Sequence, residues 1–449
     1  MDDDGNDCLD ILGQQPALDI YTQLSLIYPV PDPSSRGDIV DTLTTGLGRL
    51  AENLPWVAGQ VSRVNSRHGG LSSYRIVPLG GTPSLTIRDL QQDESAPTMS
   101  SLRRARFPFR MLDEAVIAPQ KTLPGAGPRP VFAMQANFIT GGLILTFVSQ
   151  HQAMDLTGQC RVMSLLSKVC RDARLTDVEV AGANPTRCGR IPPLDESILR
   201  GSDLDLQAAK SPASRGASYR ALAPASWAYF AFSTESLVTI KRLAMENVST
   251  PPGFVSTDDA LAAFLWQSVG RVRGQRIGLD AKSTLGRAVD VRRHLGIPET
   301  YPGLMQNLAF QTHSVQELAA MPLGGVASEL RFAVEPNTSS LAYATRALAA
   351  RIRGAEDKST VYLAAGIAPS VDFLLSSWTN PSFYDMDFGL GLGTPEVVRR
   401  PRFVPVEGLS YLMPRRASGE IVVAICLRDE DLLRLRSDGE FAKFGTYIG

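Results

Sequence analysis

The chain has 449 residues, with 45 lysines and arginines against 46 aspartates and glutamates, so its formal net charge at pH 7 is −1. This balance leaves no cationic surplus for binding nucleic acid or an anionic membrane. The 44% hydrophobic and 20% charged residues are typical of a globular protein, and the length favours two domains over one.

The N-terminal segment begins Met1-Asp2-Asp3-Asp4, which lacks the cationic and then apolar order of a secretory leader. We therefore expect a cytoplasmic protein. The longest apolar stretch, near Leu143 to Val148, is too short to span a bilayer. Five cysteines at wide spacing predict free thiols rather than a disulfide framework or a zinc site; they are Cys8, Cys160, Cys170, Cys188 and Cys426.

Apolar residues recur at helical spacing from Ile39 to Leu54, which predicts an amphipathic helix with this stripe in the core. Further on, Val131–Phe138 and Leu143–Gln150 flank a Thr-Gly-Gly turn, a pattern typical of a β-hairpin. After Asp155 the apolar residues return to helical spacing. The sequence therefore predicts a hairpin that ends at His151 and a helix that begins at Asp155.

A less regular stretch rich in proline and glycine starts near Arg174. Within it we predict a linker, residues 186–222, between an N-terminal domain, residues 1–185, and a C-terminal domain, residues 223–449. Trp227 to Phe232 then has a strand pattern, and Ser256 or Thr257 can cap a following helix. Strands and helices are mixed in both halves, so the predicted class is α/β or α+β with two sheets.

His151 is the strongest candidate for chemistry, because the chain has only four histidines and this one lies where a strand meets a helix. A neutral imidazole held there can accept a proton from an alcohol near pH 7. The bare His-x-x-x-Asp spacing is weak, since composition alone gives about 0.26 such matches by chance. On pattern alone, a satisfied histidine at the end of a core strand is an equally weighted interpretation.

The other histidines favour structural interpretations. His68 is expected in an exposed turn, and His294 lies beside arginines. His313 either forms a helical i,i+4 pair with Glu317 or, as we favour, lies on a solvated face. The sequence contains no paired C-x-x-C, H-E-x-x-H, Walker-type phosphate loop, G-x-G-x-x-G or G-x-S-x-G motif. Metal, dinucleotide and serine-hydrolase chemistry are therefore not predicted.

His151-x-x-x-Asp155 followed by Gly158, together with Asp387-Phe388-Gly389-Leu390-Gly391, resembles the BAHD acyltransferase family. Family members usually have tryptophan at the position of Leu390, and leucine there is similar to the fungal trichothecene 3-O-acetyltransferase branch. Five segments carry this narrower resemblance: Ile20–Pro29, Pro55–Val61, Phe254–Leu261, Tyr301–Asn307 and Asp387–Gly393.

The resemblance implies two chloramphenicol-acetyltransferase-like domains with a channel at their interface. Coenzyme A would enter from one side and an alcohol from the other, with His151 between them as general base for direct acyl transfer. It implies acetyl-CoA as co-substrate, no permanently bound cofactor or metal, and cations for the coenzyme A phosphates at one mouth. The implied acceptor is a hydroxyl of a fungal terpenoid, best matched by the 3-hydroxyl of a trichothecene, and the enzyme is expected to be a monomer.

The resemblance also suggests roles for other residues. Asp155 is expected to turn away from the cavity and pair with Arg292, a structural role that competes with orientation of His151. Ser376 and Trp378 either line the acceptor side or belong to the core, and Ser256 and Thr257 either contact the pantetheine arm or cap a helix. The remaining expected structural residues are Gly158, Asp387, Gly389 and Gly391.

Three alternatives remain open. In the first alternative, the acceptor is an alkaloid or polyketide alcohol. In the second, the chain is a condensation-type domain that uses carrier-protein thioesters. In the third, it is a non-catalytic relative that binds a terpenoid or a partner protein. Condensation domains usually carry two adjacent histidines, whereas Gln150 precedes His151 here.

Overall fold

The computed structural model describes residues 8–64, 72–194, 206–207, 223–249 and 253–449. Its strands are β1 Tyr21–Pro29, β2 Gly59–Val64, β3 Ser73–Pro78, β4 Ser84–Asp89, β5 Phe132–Ile139, β6 Gly142–Gln150, β7 Ala225–Phe232, β8 Lys282–Asp290, β9 Gln306–Ser314, β10 Phe373–Ser377, β11 Val397–Arg399, β12 Leu409–Leu412, β13 Ile421–Arg428 and β14 Gly445–Tyr447.

The α-helices of the same residues are α1 Arg36–Asn53, α2 Met99–Ala105, α3 Glu114–Ile117, α4 Leu156–Cys170, α5 Asp177–Ala183, α6 Thr234–Met245, α7 Thr257–Ile277, α8 Arg292–Leu295, α9 Val315–Ala320, α10 Leu323–Val334, α11 Leu341–Gly354, α12 Asp429–Ser437 and α13 Gly439–Ala442. Short 3-10 helices cover Ile11–Gln14, Pro16–Leu18, Pro33–Ser35, Pro55–Ala58, Phe109–Met111, Lys358–Thr360 and Phe383–Asp385.

The first sheet has the strand order β11-β1-β6-β5-β4. Its hairpin β5–β6 is buried along its whole length, because both faces of the sheet are covered. Strand β1 runs antiparallel to β6 with Tyr21 opposite Gln150, which places the start of β1 beside His151. The sheet therefore carries the predicted base at one end of a rigid central strand.

The second sheet has the order β14-β7-β13-β12-β10-β8-β9, and β10 pairs in parallel with both β8 and β12. Helix α7 packs against this sheet and is buried on most of its faces in its first half. A separate two-stranded ribbon is formed by β2 and β3.

Strand β11 comes from the later part of the chain but completes the first sheet. Its Arg399 pairs with Ser25 and its Val397 with Ile27, antiparallel to β1. The proposed domain division stays a prediction, and of the linker 186–222 only residues 186–194 and 206–207 lie within the described part of the chain.

The elements predicted from periodicity are present, and the mixed α/β class is confirmed. The apolar stripe of α1 is buried, the hairpin and α4 have the expected order, and Ser256 caps α7. Helix α5 falls in a stretch expected to be irregular. Its N-terminus is a capping box between Thr176 and Glu179, a local signal that was visible in the sequence.

The expectation of free thiols is wrong for Cys8 and Cys188, which form a disulfide with Cα atoms 6.0 Å apart. They are separated by 180 residues, so spacing gave no sign that the fold brings them together. Cys160, Cys170 and Cys426 are free thiols. Within the residues that the structure describes, no helix has the length and apolar character needed to cross a membrane.

Candidate active site

His151 continues the ladder between β6 and the chain before β1. Its backbone N–H donates to the Ile20 carbonyl at 2.8 Å. The ring Nδ1 lies 3.2 Å from the Met154 carbonyl oxygen. Because a carbonyl only accepts, this contact requires the hydrogen on Nδ1 and leaves a lone pair on Nε2. The partly exposed imidazole is therefore held in the tautomer that a general base needs.

The surroundings of His151 keep its ring neutral. Burial is the main cause of a pKa below the usual value of 6.5. The hydrogen bond to Met154 and the charge of Asp155 oppose this shift, while the positive charge of Arg400 adds to it. A neutral ring near pH 7 is ready to accept a proton.

Asp155 makes its contacts away from His151. One carboxylate oxygen caps α4 by accepting from the Gly158 N–H at 2.9 Å, and the other accepts from the Met305 N–H at 2.8 Å. Arg292 donates to both oxygens, at 2.9 and 3.0 Å. The ion pair suggested by the resemblance is therefore present and bidentate, and both side chains are almost fully buried.

Gly158 permits a close approach between α4 and the segment that holds Arg292. A Cβ at this position would lie 2.1 Å from the Pro302 carbonyl oxygen, a distance too short for any side chain. The neighbouring carbonyls of Tyr301 and Gly303 accept from Arg292 at 3.1 and 2.7 Å. The glycine therefore allows the first turn of α4 to dock on this segment.

The loop from His151 to Asp155 is supported from behind by two segments that sequence reasoning did not assign. Gln152 donates to the Gly13 carbonyl at 2.9 Å, and Arg187 donates to the Ala153 carbonyl at 2.6 Å. Arg187 also forms a buried ion pair with Asp10 at 3.3 Å. Asp10 and Arg187 are far apart in sequence, so no local pattern signalled this support.

A cavity of about 1110 Å³ opens along α4, from Asp155 before its first turn to Arg171 after its last. Of the predicted site residues, Asp155, Arg292, Ser376 and Trp378 line it, whereas His151 does not. A passage open on both sides of His151 therefore stays a prediction.

Several cations line this cavity; the family resemblance implies such a group for the coenzyme A phosphates, and that use of these residues stays a prediction. They are Arg161, Lys168, Arg171, Arg287, Arg292, Arg293 and Arg331. Arg161 and Lys168 lie on one face of α4, at helical spacing that was visible in the sequence, and Arg171 follows the last residue of the helix. The Nε of Arg161 is buried and has no hydrogen-bond partner among the residues that the structure describes.

Trp378 combines both interpretations that the sequence left open. The residue is only 3% exposed and belongs to the main hydrophobic core, but it also lines the cavity. Its Nε1–H donates to the Ser376 hydroxyl at 3.1 Å. The adjacent Ser377 donates to Asp258, which fixes this wall of the cavity to the start of α7.

Ser256 and Thr257 do not line the large cavity. The Ser256 hydroxyl accepts from the Asp259 N–H at 3.1 Å and donates to the Asp259 carboxylate at 2.6 Å, so it is engaged in a capping box. Thr257 lines a smaller surface pocket of about 290 Å³. Their assignment to coenzyme A stays a prediction, and the neighbouring Asp258 lines the cavity instead.

Asp387 and its glycines form a loop against the far end of α4. Asp387 accepts from the Gly389 N–H at 2.8 Å, and its carbonyl accepts from Ser167 at 2.6 Å. Gly389 and Gly391 have φ values of +68° and +72°, a backbone region that favours glycine. Ser167 lies about three turns along α4 from Asp155, or about 18 Å at the helical rise per residue. This distance from the reaction site is consistent with a structural role for the Asp387 loop.

The remaining histidines have structural contacts or lie outside the described residues. His294 contacts the Val334 carbonyl at 3.1 Å, and His68 lies outside the described residues. The suggested helical pair of His313 with Glu317 is wrong, because His313 lies in β9 and contacts Glu329 at 2.7 Å.

Comparison with known proteins gives consistent matches. Residues 20–170 match the family described as the trichothecene 3-O-acetyltransferase-like N-terminal domain. The chain is 48% identical to trichothecene 3-O-acetyltransferase TRI101 of Fusarium sporotrichioides, covering 98% of this chain and 97% of that protein. It is 45% identical to the O-acetyltransferase dmxR13 of Cryptosporiopsis sp., with the same coverage of 98% and 97%.

Solved structures agree. The crystal structure of F. graminearum TRI101 complexed with coenzyme A and deoxynivalenol matches with a TM-score of 0.94 and 43% identity, covering 99% of this chain and 100% of that one. Vinorine synthase, at 15% identity and a TM-score of 0.67 over 98% of this chain and 93% of that one, shares the fold.

Proposed function

The chain belongs to the trichothecene 3-O-acetyltransferase-like family of BAHD-type acyltransferases, and from this premise we propose how its acetyl-CoA-dependent O-acetyltransferase activity is carried out. The acceptor is a hydroxyl of a fungal terpenoid, and the 3-hydroxyl of a trichothecene is the preferred candidate. The single observation that carries the mechanism is the contact between His151 Nδ1 and the Met154 carbonyl, which leaves Nε2 to accept a proton.

The reaction needs a base because an alcohol is a weak nucleophile at neutral pH. His151 Nε2 takes the hydroxyl proton as the oxygen attacks the thioester carbonyl, a contribution of about 10²–10⁴ in rate. The tetrahedral intermediate collapses by breaking the C–S bond, and the departing thiolate recovers the proton from His151. Direct transfer needs no acyl-enzyme, so the protein supplies proximity and one proton relay.

Coenzyme A is assigned to the cavity beside α4 because cations gather on the wall that α4 forms. The phosphates of coenzyme A need several donors, and the cavity presents Arg161 and Lys168 on α4 and Arg171 at the end of that helix. The unpartnered Nε of Arg161 is a hydrogen-bond donor free for such a group. Ser376 and Trp378, which line the same cavity, are assigned to the acceptor side.

The test incubates the purified protein with acetyl-CoA and deoxynivalenol, and follows thiol release together with the gain of one acetyl group by mass spectrometry. We expect acetylation by the wild type and at least a hundredfold loss in His151→Ala. A parallel panel of polyketide and alkaloid alcohols tests the acceptor class, since dmxR13 is named only as an O-acetyltransferase. Faster transfer to one of those alcohols would overturn the trichothecene assignment, and full activity of His151→Ala would overturn the base.

A monomeric state and a cytoplasmic location are part of the same proposal. Light scattering of the purified protein and fractionation of the producing cells test them.

A further inference from the structure

Arg400 is a buried cation with most of its hydrogen-bonding capacity unused. The residue is only 3% exposed. Within the described residues, the one hydrogen bond of its guanidinium runs from Nη2 to the Thr122 hydroxyl at a long 3.4 Å, and its Nε has no partner. Among the described residues, no carboxylate forms an ion pair with it. The adjacent Arg399 is also buried, but it donates to the carbonyls of Phe107 and Val398 at 3.3 and 3.0 Å.

Aromatic rings surround the guanidinium of Arg400. Its Cζ lies 4.2 Å from the ring centroid of Phe403, 4.9 Å from that of Tyr411 and 5.5 Å from that of Trp378. Cation–π attraction offsets part of the cost of burying the charge, but it leaves the in-plane N–H donors unsatisfied.

The position of Arg400 connects it to the site of reaction. Thr122, which it contacts, accepts from the Tyr21 N–H at 2.9 Å, and the preceding Ile20 carbonyl holds the backbone of His151. Trp378, which it packs against, lines the cavity. A guanidinium with unused donors therefore packs directly against the cavity wall at Trp378, and it is connected to the backbone of the base only through Thr122, Tyr21 and Ile20.

We infer that Arg400 is a specificity-determining residue, which donates a hydrogen bond to an oxygen of the acceptor molecule other than the hydroxyl being acetylated. The acceptor class is an apolar ring skeleton that carries a second ether, carbonyl or hydroxyl oxygen. The aromatic surroundings suit such a molecule better than a polyphosphate, which needs several cations together. This inference rests on the proposed function.

The test compares Arg400→Met and Arg400→Lys with the wild type on two acceptors that differ only by one ring oxygen. For the acceptor with the oxygen, Arg400→Met should lower kcat/KM about tenfold to a hundredfold, chiefly through KM, because a charged hydrogen bond is lost. For the acceptor without it, the change should be less than threefold, and the KM for acetyl-CoA should be unaffected. Arg400→Lys should restore part of the loss.

The control is Arg402→Met, which removes an exposed arginine paired with Asp113 and should behave as wild type. Melting temperatures identify variants that fail to fold, and in that case Arg400→Lys alone still tests discrimination between the two acceptors. Equal loss with both acceptors, or an unchanged acceptor KM, would overturn the role of Arg400. Absence of acetyl transfer by the wild type would instead count against the proposed function.

Discussion

Removal of the Asp155 carboxylate should damage stability more than chemistry. In Asp155→Ala, the buried Arg292 loses its bidentate partner, and α4 loses its N-cap. Breaking a buried ion pair by deleting one partner costs about 3–5 kcal/mol, and loss of a cap adds about 1 kcal/mol. The free energy of unfolding should therefore fall by about 4–6 kcal/mol. This is a large part of the total free energy of unfolding of a typical folded protein, which is about 5–15 kcal/mol.

Urea unfolding of Asp155→Ala measures this loss, and turnover is normalised to the folded fraction. Ser233→Ala is the matched control, because Ser233 caps α6 without holding a buried ion pair and should cost only about 1 kcal/mol. The double variant Asp155→Ala/Arg292→Met should be less destabilised than the sum of its single variants, since no charge is left unpaired. An unchanged free energy of unfolding together with lost turnover would refute the structural role and assign Asp155 to catalysis.

Three further predictions concern pH, packing and substrate binding. Burial and the charge of Arg400 lower the pKa of His151, while Asp155 and the hydrogen bond to Met154 oppose this shift. The acid limb of the kcat/KM profile should therefore lie below pH 6.5 and should move to higher pH in Arg400→Met. A wild-type limb above pH 6.5 would contradict this. Gly158→Ala should lower the melting temperature, because the added Cβ would clash with the Pro302 carbonyl oxygen. Gly48→Ala, the control, replaces a helical glycine with open space around it and should leave the melting temperature unchanged or raise it. Equal melting temperatures of the two variants would refute the packing argument. Arg161→Ala should raise the KM for acetyl-CoA severalfold and leave that for the acceptor unchanged, and a change confined to the acceptor would place coenzyme A elsewhere.

The local parts of the site were predictable from sequence, and the long-range parts were not. Periodicity placed His151 at a strand end and Asp155 at a helix start because both signals lie within a few residues. The pairing of Asp155 with Arg292 came only from family resemblance, since 137 residues separate them. Arg400 and the buried pair of Asp10 with Arg187 had no local signal, because burial of an arginine depends on the tertiary contacts around it.

The disulfide and the wall of the cavity illustrate the same division. Cys8 and Cys188 meet only because two distant segments converge behind the loop that carries His151. Trp378 directly follows β10, and a sequence pattern could not decide whether its side chain lines a cavity or fills the core, since here it does both.

Strand β11 has a consequence for how the protein is made. Until residue 399 has left the ribosome, the edge of β1 around Ser25 to Ile27 has no neighbour on one side. Nascent chains that stop earlier would expose unpaired backbone N–H and C=O groups along the apolar strand β1. Such an edge is prone to aggregation and to binding by chaperones. Ribosome stalling or premature termination ahead of Val397 should therefore yield insoluble fragments, even though nearly all of the first sheet has already been synthesised.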